Sequence, residues 1–346
     1  MHTRELSILI PSRQEMFLSK TIENILENIE ADTEVIVVLD GAWSDPPVLQ
    51  HERVNIIYLP ETIGQRAATN LAARLAKGKY IMKIDAHCSF DKGFDRKMLE
   101  GFEKMGDCTM VPILKNLWGF DWQCEKCGSR WYQGPTPTRC MTQTRHVIPN
   151  ETCDGKKFKR IITWAVEGGD DSTARKNWKG RYAPQHSAFC FDSEPHFRYD
   201  NLKNRPELLK MKEETGGYTE TMSLQGSCWM MSREKYLEYI PTREQFGSWG
   251  NEGIEIACRE WLTGGKVICN NNTWYGHLFR TQGGDFNFPY PQSGRGVDKT
   301  KKLVKEVIWN NKLPNQKYPV SWLIEKFMPV ADWTQDKINK IKDENK

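Results

Sequence analysis

The sequence predicts an α/β chain built on a mostly parallel, Rossmann-like sheet flanked by helices. Three observations carry that expectation. Short apolar runs recur at Leu6 to Pro11, Glu34 to Leu39, Val54 to Leu59 and Tyr80 to Ile84. Stretches of helical length separate several of them, the alternation that builds parallel sheets. Polar residues stand where the runs end, at Pro11 to Arg13, at Asp40 and Gly41, and at Asp85 to His87, and open α/β sheets gather their ligands beyond those strand ends.

The first run is closed by Pro11 and reads as a buried strand. After Ser19 the residues Ile22, Ile25, Leu26 and Ile29 recur on one face of a helix. Glu34 to Leu39 is β-branched and is stopped by the turn pair Asp40 and Gly41. Gln65 to Ala76 is alanine-rich and predicts a helix, ended by Lys77 and Gly78 before the strand Tyr80 to Ile84. From about Trp118 the texture turns to cysteine, glycine, proline, tryptophan and basic residues, which predicts an insertion of irregular or short-stranded structure. Regular structure returns with the strand Cys228 to Met231, helices from Arg233 and from Asn251 to Thr263, and a strand over Lys266 to Cys269. Beyond Asp298, lysines alternate with Leu303, Val304, Val307 and Ile308 in a helical tail. The expected organisation is a first half over 1–117, an insertion over 118–215, a second half over 216–296 and a tail over 297–346.

With 346 residues, 38% of them hydrophobic, the chain is long enough for a substantial core, and a net charge of +4 excludes a histone-like polycation. The longest apolar runs fall far short of the roughly 18 residues of a membrane span. The start lacks the apolar stretch of a secretory signal, so the expected location is the cytoplasm and no membrane partner is expected. Ten cysteines are too few for a disulfide scaffold at this length.

Asp85 and His87 are metal-ligating side chains one residue apart after a strand, an arrangement that suits a divalent cation shared with a diphosphate. Together with the strand-helix order around Ser7 to Glu15, Val35 to Gly41 and Arg66, they resemble the nucleotide-sugar half of family-2-like glycosyltransferases with the GT-A fold. Three runs resemble the polypeptide N-acetylgalactosaminyltransferases more closely. Asp85 to Cys88 is similar to their metal motif, Trp249 to Trp261 to their run of tryptophan, glutamates and arginine, and Tyr275 to Arg280 to their glycine-histidine-phenylalanine-arginine motif. The likeness covers roughly residues 5–110 and 220–280.

The resemblance implies a nucleotide-diphosphate sugar, in the first place a UDP-sugar, and Mn2+ or Mg2+ held by Asp85, His87 and His277. It implies donor contacts from Pro11, Ser12, Arg13 and Glu15, from Asp40 to uracil or ribose, and from Arg66 to phosphate at a helix start. Gly226 and Ser227 would wall the sugar, and Trp249, Glu252 and Arg280 would form the catalytic set. Two departures matter. Gly253 follows Glu252 where many inverting relatives have an aspartate base, so retention and inversion both stay open. Ser227 replaces the second glycine of the family's pair, so the sugar need not be N-acetylgalactosamine.

Cys124, Cys127 and Gly128 have the shape of a zinc knuckle, and Cys140 with Cys153 or His146 completes a four-ligand structural Zn2+ site in the insertion. Residues 126–182 hold twelve basic against five acidic side chains, +7, with Trp131, Tyr132, Trp164, Trp178 and Tyr182 among them. Basic charge with aromatic faces suits nucleic acid. The leading acceptor expectation is therefore a hydroxymethylated pyrimidine base in DNA, as viral and base-J-type glycosyltransferases of similar architecture modify. The alternatives are a protein hydroxyl, a glycan or lipid-linked acceptor, or a catalytically silent nucleic-acid-binding shell.

Overall fold

The computed structural model describes residues 3–132, 134–140, 153–166, 186–280, 286–289 and 295–345. They fall into two compact units, one of Met1–Leu114, Gln185–Tyr275 and Pro291–Lys346 and the other of Lys115–Pro184 and Gly276–Tyr290.

The first unit opens as the hydrophobic pattern predicts. Strand β1 (Arg4–Ser12) leads to helix α1 (Leu18–Asn28), β2 (Thr33–Asp40), β3 (Val54–Leu59), α2 (Gln65–Leu75) and β4 (Gly78–Ile84). β1 lies between β2 and β4 and is parallel to both, with Ile8 opposite Val35 on one side and Met82 on the other. Strands flanked on both sides and covered on both faces are apolar over most of their length; β2 is buried over its whole length, whereas the edge strand β3 is half exposed. On α1, Leu18, Thr21, Ile22 and Ile25 form the buried stripe.

A short strand β5 (Cys88–Phe90) and helix α3 (Phe94–Met105) follow, then β6 (Thr109–Cys124), 16 residues long and continuing into the second unit. The expected insertion thus begins as a regular strand. It pairs in antiparallel register with β7 (Arg130–Tyr132) and the nine-residue β8 (Phe158–Val166). His146, Trp178 and Tyr182 lie outside the described residues.

After residue 185 the chain is back in the first unit, with β9 (Phe189–Phe191), β10 (Phe197–Tyr199), α4 (Pro206–Thr215), β11 (Tyr218–Glu220), β12 (Cys228–Ser232), α5 (Arg233–Arg243), α6 (Glu252–Leu262) and β13 (Val267–His277). The segment expected over 118–215 is therefore divided, because His186 pairs with Leu114 and Ser223 donates to Phe189, joining 186–215 to the main sheet. That sheet runs β11-β13-β6-β12-β4-β1-β2-β3, with β12 antiparallel to β4. The tail carries α7 (Arg295–Leu303), α8 (Val320–Lys326) and α9 (Gln335–Glu344). No helix of the described residues is long and apolar enough to cross a membrane.

The order β4-β1-β2-β3 reverses direction between β1 and β4, the switch point at which α/β sheets open a ligand crevice. Pro11 to Glu15 leave β1 there, and Asp85 to His87 leave β4.

Candidate active site

A cavity of about 290 Å³ lies in the first unit, lined among others by Gln65, Asp85, Gly226, Ser227, Trp249 and Glu252. Pro195 and Phe197, which the sequence gave no reason to single out, also line it. Asp85 sits at its edge with its side chain 22% exposed. Its backbone N–H donates to the Ser227 carbonyl at 2.8 Å, which ties the loop after β4 to the segment before β12.

His87 is buried beside it, with Nε2 3.9 Å from Asp85 Oδ2. On its other side Nδ1 faces Glu15 Oε2 at 3.2 Å. A ring nitrogen facing a carboxylate holds the proton, so Nε2 keeps its lone pair on the Asp85 side. Burial, helped by Lys83 and opposed by Asp85, pushes the histidine down to about 4. The imidazole is neutral at physiological pH, and an oxygen and a nitrogen donor at this spacing fit a divalent transition ion. Glu15, expected at the donor, acts on the histidine.

Other expected donor contacts also have work inside the protein. Asp40 is fully buried and accepts from Thr62 Oγ1 at 2.8 Å and from the N–H groups of Ile63 and Gly64 at 2.6 and 3.0 Å. It shapes the loop entering α2, and its own carbonyl takes Arg13 Nη1 at 2.9 Å. Pro11 and Ser12 are buried at the end of β1.

Arg66 corrects a sequence expectation. Its Nε donates to Glu255 at 3.0 Å, Nη2 to the Gly250 carbonyl at 2.8 Å, and Nη1 to the carbonyls of Phe246 and Gly247. Four of its five N–H groups are taken by a carboxylate and three carbonyls while the side chain is buried, so Arg66 shapes the 246–250 loop.

Glu255 is the hub of this cluster, taking Arg66, Arg243 at 3.2 Å and Arg259 at 3.0 Å while fully buried. Burial would raise its carboxyl, but the three arginines outweigh it and hold the group at about 2. Glu252, three residues earlier, lines the cavity with Oε1 on Arg243 at 2.9 Å and Oε2 on Lys83 at 3.4 Å.

Gly253 has no room for a side chain. A Cβ there would overlap the Leu224 carbonyl and stand 2.9 Å from Gly226 N. Ser227 bonds through its hydroxyl to Tyr275 OH at 2.9 Å. Thr300 of α7 lies 2.9 and 3.2 Å from the carbonyls of Phe246 and Trp249, so the tail buttresses the cavity loop.

Lys83 was not foreseen. It is fully buried, and burial works against its charge, but Asp85 and Glu252 outweigh that and raise its pKa. The available signal was a lysine inside an otherwise apolar strand, because a buried ammonium requires partners.

The second unit brings together Cys124, Cys127, Cys140 and Cys153, whose sulfurs all lie within 4.8 Å of one another. Cys124 to Cys153 is 3.8 Å and Cys127 to Cys140 is 3.4 Å. Gly128, at φ +76°, turns the chain so that its N–H donates to the Cys124 carbonyl at 2.9 Å. Trp131 and Phe158 cover the cluster edge to face. His277 and Arg280 belong to this unit too. His277 packs edge-on against Phe279, while the Arg280 guanidinium lies over Phe286 and donates to the Asn287 carbonyl.

Residues 7–166 match the model of Glycosyl transferase family 2. The chain is 23% identical over 352 residues to a provisionally named polypeptide N-acetylgalactosaminyltransferase 13 of Drosophila melanogaster, covering 95% of this chain and 51% of the relative. It is 22% identical over 306 residues to polypeptide N-acetylgalactosaminyltransferase 13 of Homo sapiens, covering 88% and 40%. The crystal structure of GalNAc-T7 with UDP, GalNAc and Mn2+ aligns at a TM-score of 0.60 and 16% identity, over 99% of this chain and 55% of that one. The chain thus spans about half, or less, of the length of these proteins. Sequence and fold together give this chain the GT-A fold, with residues 7–166 matching the model of Glycosyl transferase family 2.

Proposed function

We propose that the chain moves the sugar of a UDP-sugar to a protein or peptide hydroxyl, with Mn2+ held by Asp85, His87 and His277. The observation that carries this reading is the oriented, neutral His87 beside Asp85 at the edge of a polar cavity. His277 enters through the motif resemblance. Its support is Tyr275, two residues earlier on β13, which bonds to Ser227, whose carbonyl in turn takes the Asp85 N–H. Bound there, the ion would offset charge developing on the departing diphosphate.

Glu252, Gly226 and Ser227 offer a carboxylate, a carbonyl and a hydroxyl to the sugar, and Trp249 flanks it. Arg280 joins the set through the resemblance alone. The crowding at Gly253 leaves no place for the aspartate base of inverting relatives, which supports retention, with a departing phosphate oxygen taking the acceptor proton.

The acceptor follows the relatives, which are named as polypeptide transferases. The DNA-base expectation gains no support from them, and much of the basic segment behind it lies outside the described residues.

The four cysteines support a structural Zn2+ in the second unit. Tetrahedral Zn–S bonds of about 2.3 Å place sulfurs roughly 3.8 Å apart, the spacing of Cys124 and Cys153. Cys153 supplies the fourth position without His146.

The test incubates the chain with Mn2+ and a panel of UDP-sugars, offering a serine- and threonine-containing peptide library and 5-hydroxymethylcytosine DNA in parallel, with mass spectrometry as readout. A sugar increment on peptide is the expected result. An increment on DNA alone overturns the acceptor, and absence of UDP release under all conditions overturns the donor reading.

A further inference from the structure

Lys83 lies in β4, a strand buried over its last four residues, and its ammonium reaches three oxygens from three different segments. These are Asp85 Oδ1 at 2.5 Å in the loop after β4, the Gly226 carbonyl at 2.7 Å in the wall before β12, and Glu252 Oε2 at 3.4 Å in the first turn of α6. The first two are hydrogen bonds and the third is an ion pair, so one ammonium, a compact charge with three donors, draws three segments to a single point. All three acceptor residues line the cavity and Lys83 does not. It works through them.

Resting on the metal and donor reading above, we propose that Lys83 is the positioning residue of the site. With Gln65, whose Nε2 lies 3.3 Å from the same oxygen, it holds Asp85 by Oδ1 and thereby turns Oδ2 toward His87 Nε2. One buried cation sets which carboxylate oxygen meets the metal, and the same cation locks Glu252 and Gly226, the sugar wall, in register with it. A longer, planar guanidinium cannot bring two hydrogen bonds and an ion pair to one compact point, so the position needs lysine and not merely positive charge.

The sign of the effect on metal binding separates this role from simple charge balance. A counter-ion beside two carboxylates weakens cation binding, so its removal by Lys83→Met would tighten Mn2+. A positioning residue does the opposite. Mn2+ binding in the presence of UDP is followed by electron paramagnetic resonance of the free ion, with circular dichroism as the check on folding. The expected result for Lys83→Met is a loss of affinity of tenfold or more, within the 10–100-fold typical of outer-shell partners, and Lys83→Arg does not rescue it.

The double variant Lys83→Met with Glu252→Gln removes one buried charge of each sign and serves where the single variant fails to fold. It is expected to stay at least tenfold weak. Tightened binding in the single variant, wild-type affinity in the double, or rescue by arginine overturns the assignment. Asp85→Asn tests the metal reading separately. If it binds Mn2+ as wild type does, that reading fails, whatever Lys83 does.

Discussion

Gly253 lies under the Leu224 carbonyl so closely that a Cβ at residue 253 would overlap the oxygen. The contact is backbone on backbone at the start of a fully buried helix, so neither partner can swing away. Gly253→Ala is therefore expected to cost about 1–3 kcal/mol as overpacking, and to raise KM for the donor by moving Glu252. Urea denaturation and donor kinetics check it, and an alanine variant with wild-type stability would refute the crowding.

The pH dependence of stability follows from Glu255. Its carboxyl is held at about 2 against an ordinary 4.5, so in the folded chain it stays ionised where the unfolded chain takes up a proton. The stability it contributes is present above about pH 4.5 and is lost as pH falls toward 2, on the order of 3 kcal/mol in all. Unfolding midpoints of wild type and Glu255→Gln between pH 6 and 2.5 should converge as pH falls, the variant starting lower by about 3–5 kcal/mol because three buried arginines lose their carboxylate. Parallel profiles would remove Glu255 from the account.

Zinc is expected at one ion per chain by elemental analysis, with loss of that ion in Cys140→Ser. Chelation should unfold the second unit selectively, since metal-binding energy there is folding energy. Zinc content unaffected by the substitution would rule the tetrahedron out.

Replacing His277 by alanine should lower Mn2+-dependent release of UDP by about 100-fold or more, a loss of roughly 3 kcal/mol of transition-state stabilisation. Circular dichroism should stay unchanged. Turnover at the wild-type rate would exclude the histidine from the metal set.

The first half of the fold was legible because its strands are buried on both faces and so appear as unbroken apolar runs, each ended by a polar or turn residue. β6 was not, because Lys115, Asn116, Gly119 and Asp121 interrupt its pattern and its partners β7 and β8 follow only after a cysteine turn. The nearness of Asp85 and His87 was readable from two letters one residue apart. Lys83 and Arg66 were misread or missed because their meaning lies in Gly226, Glu252 and Glu255, far along the chain, and no local spacing announces a partner 189 residues away.

The bond from Arg66 to Glu255 makes α2 and α6 inheritable only as a pair. A chimera that grafts the α6 segment of a distant relative onto the first strands of this chain would bury an arginine against whatever side chain arrives at residue 255. Recombination between the two segments is therefore expected to break the protein even where each half is sound.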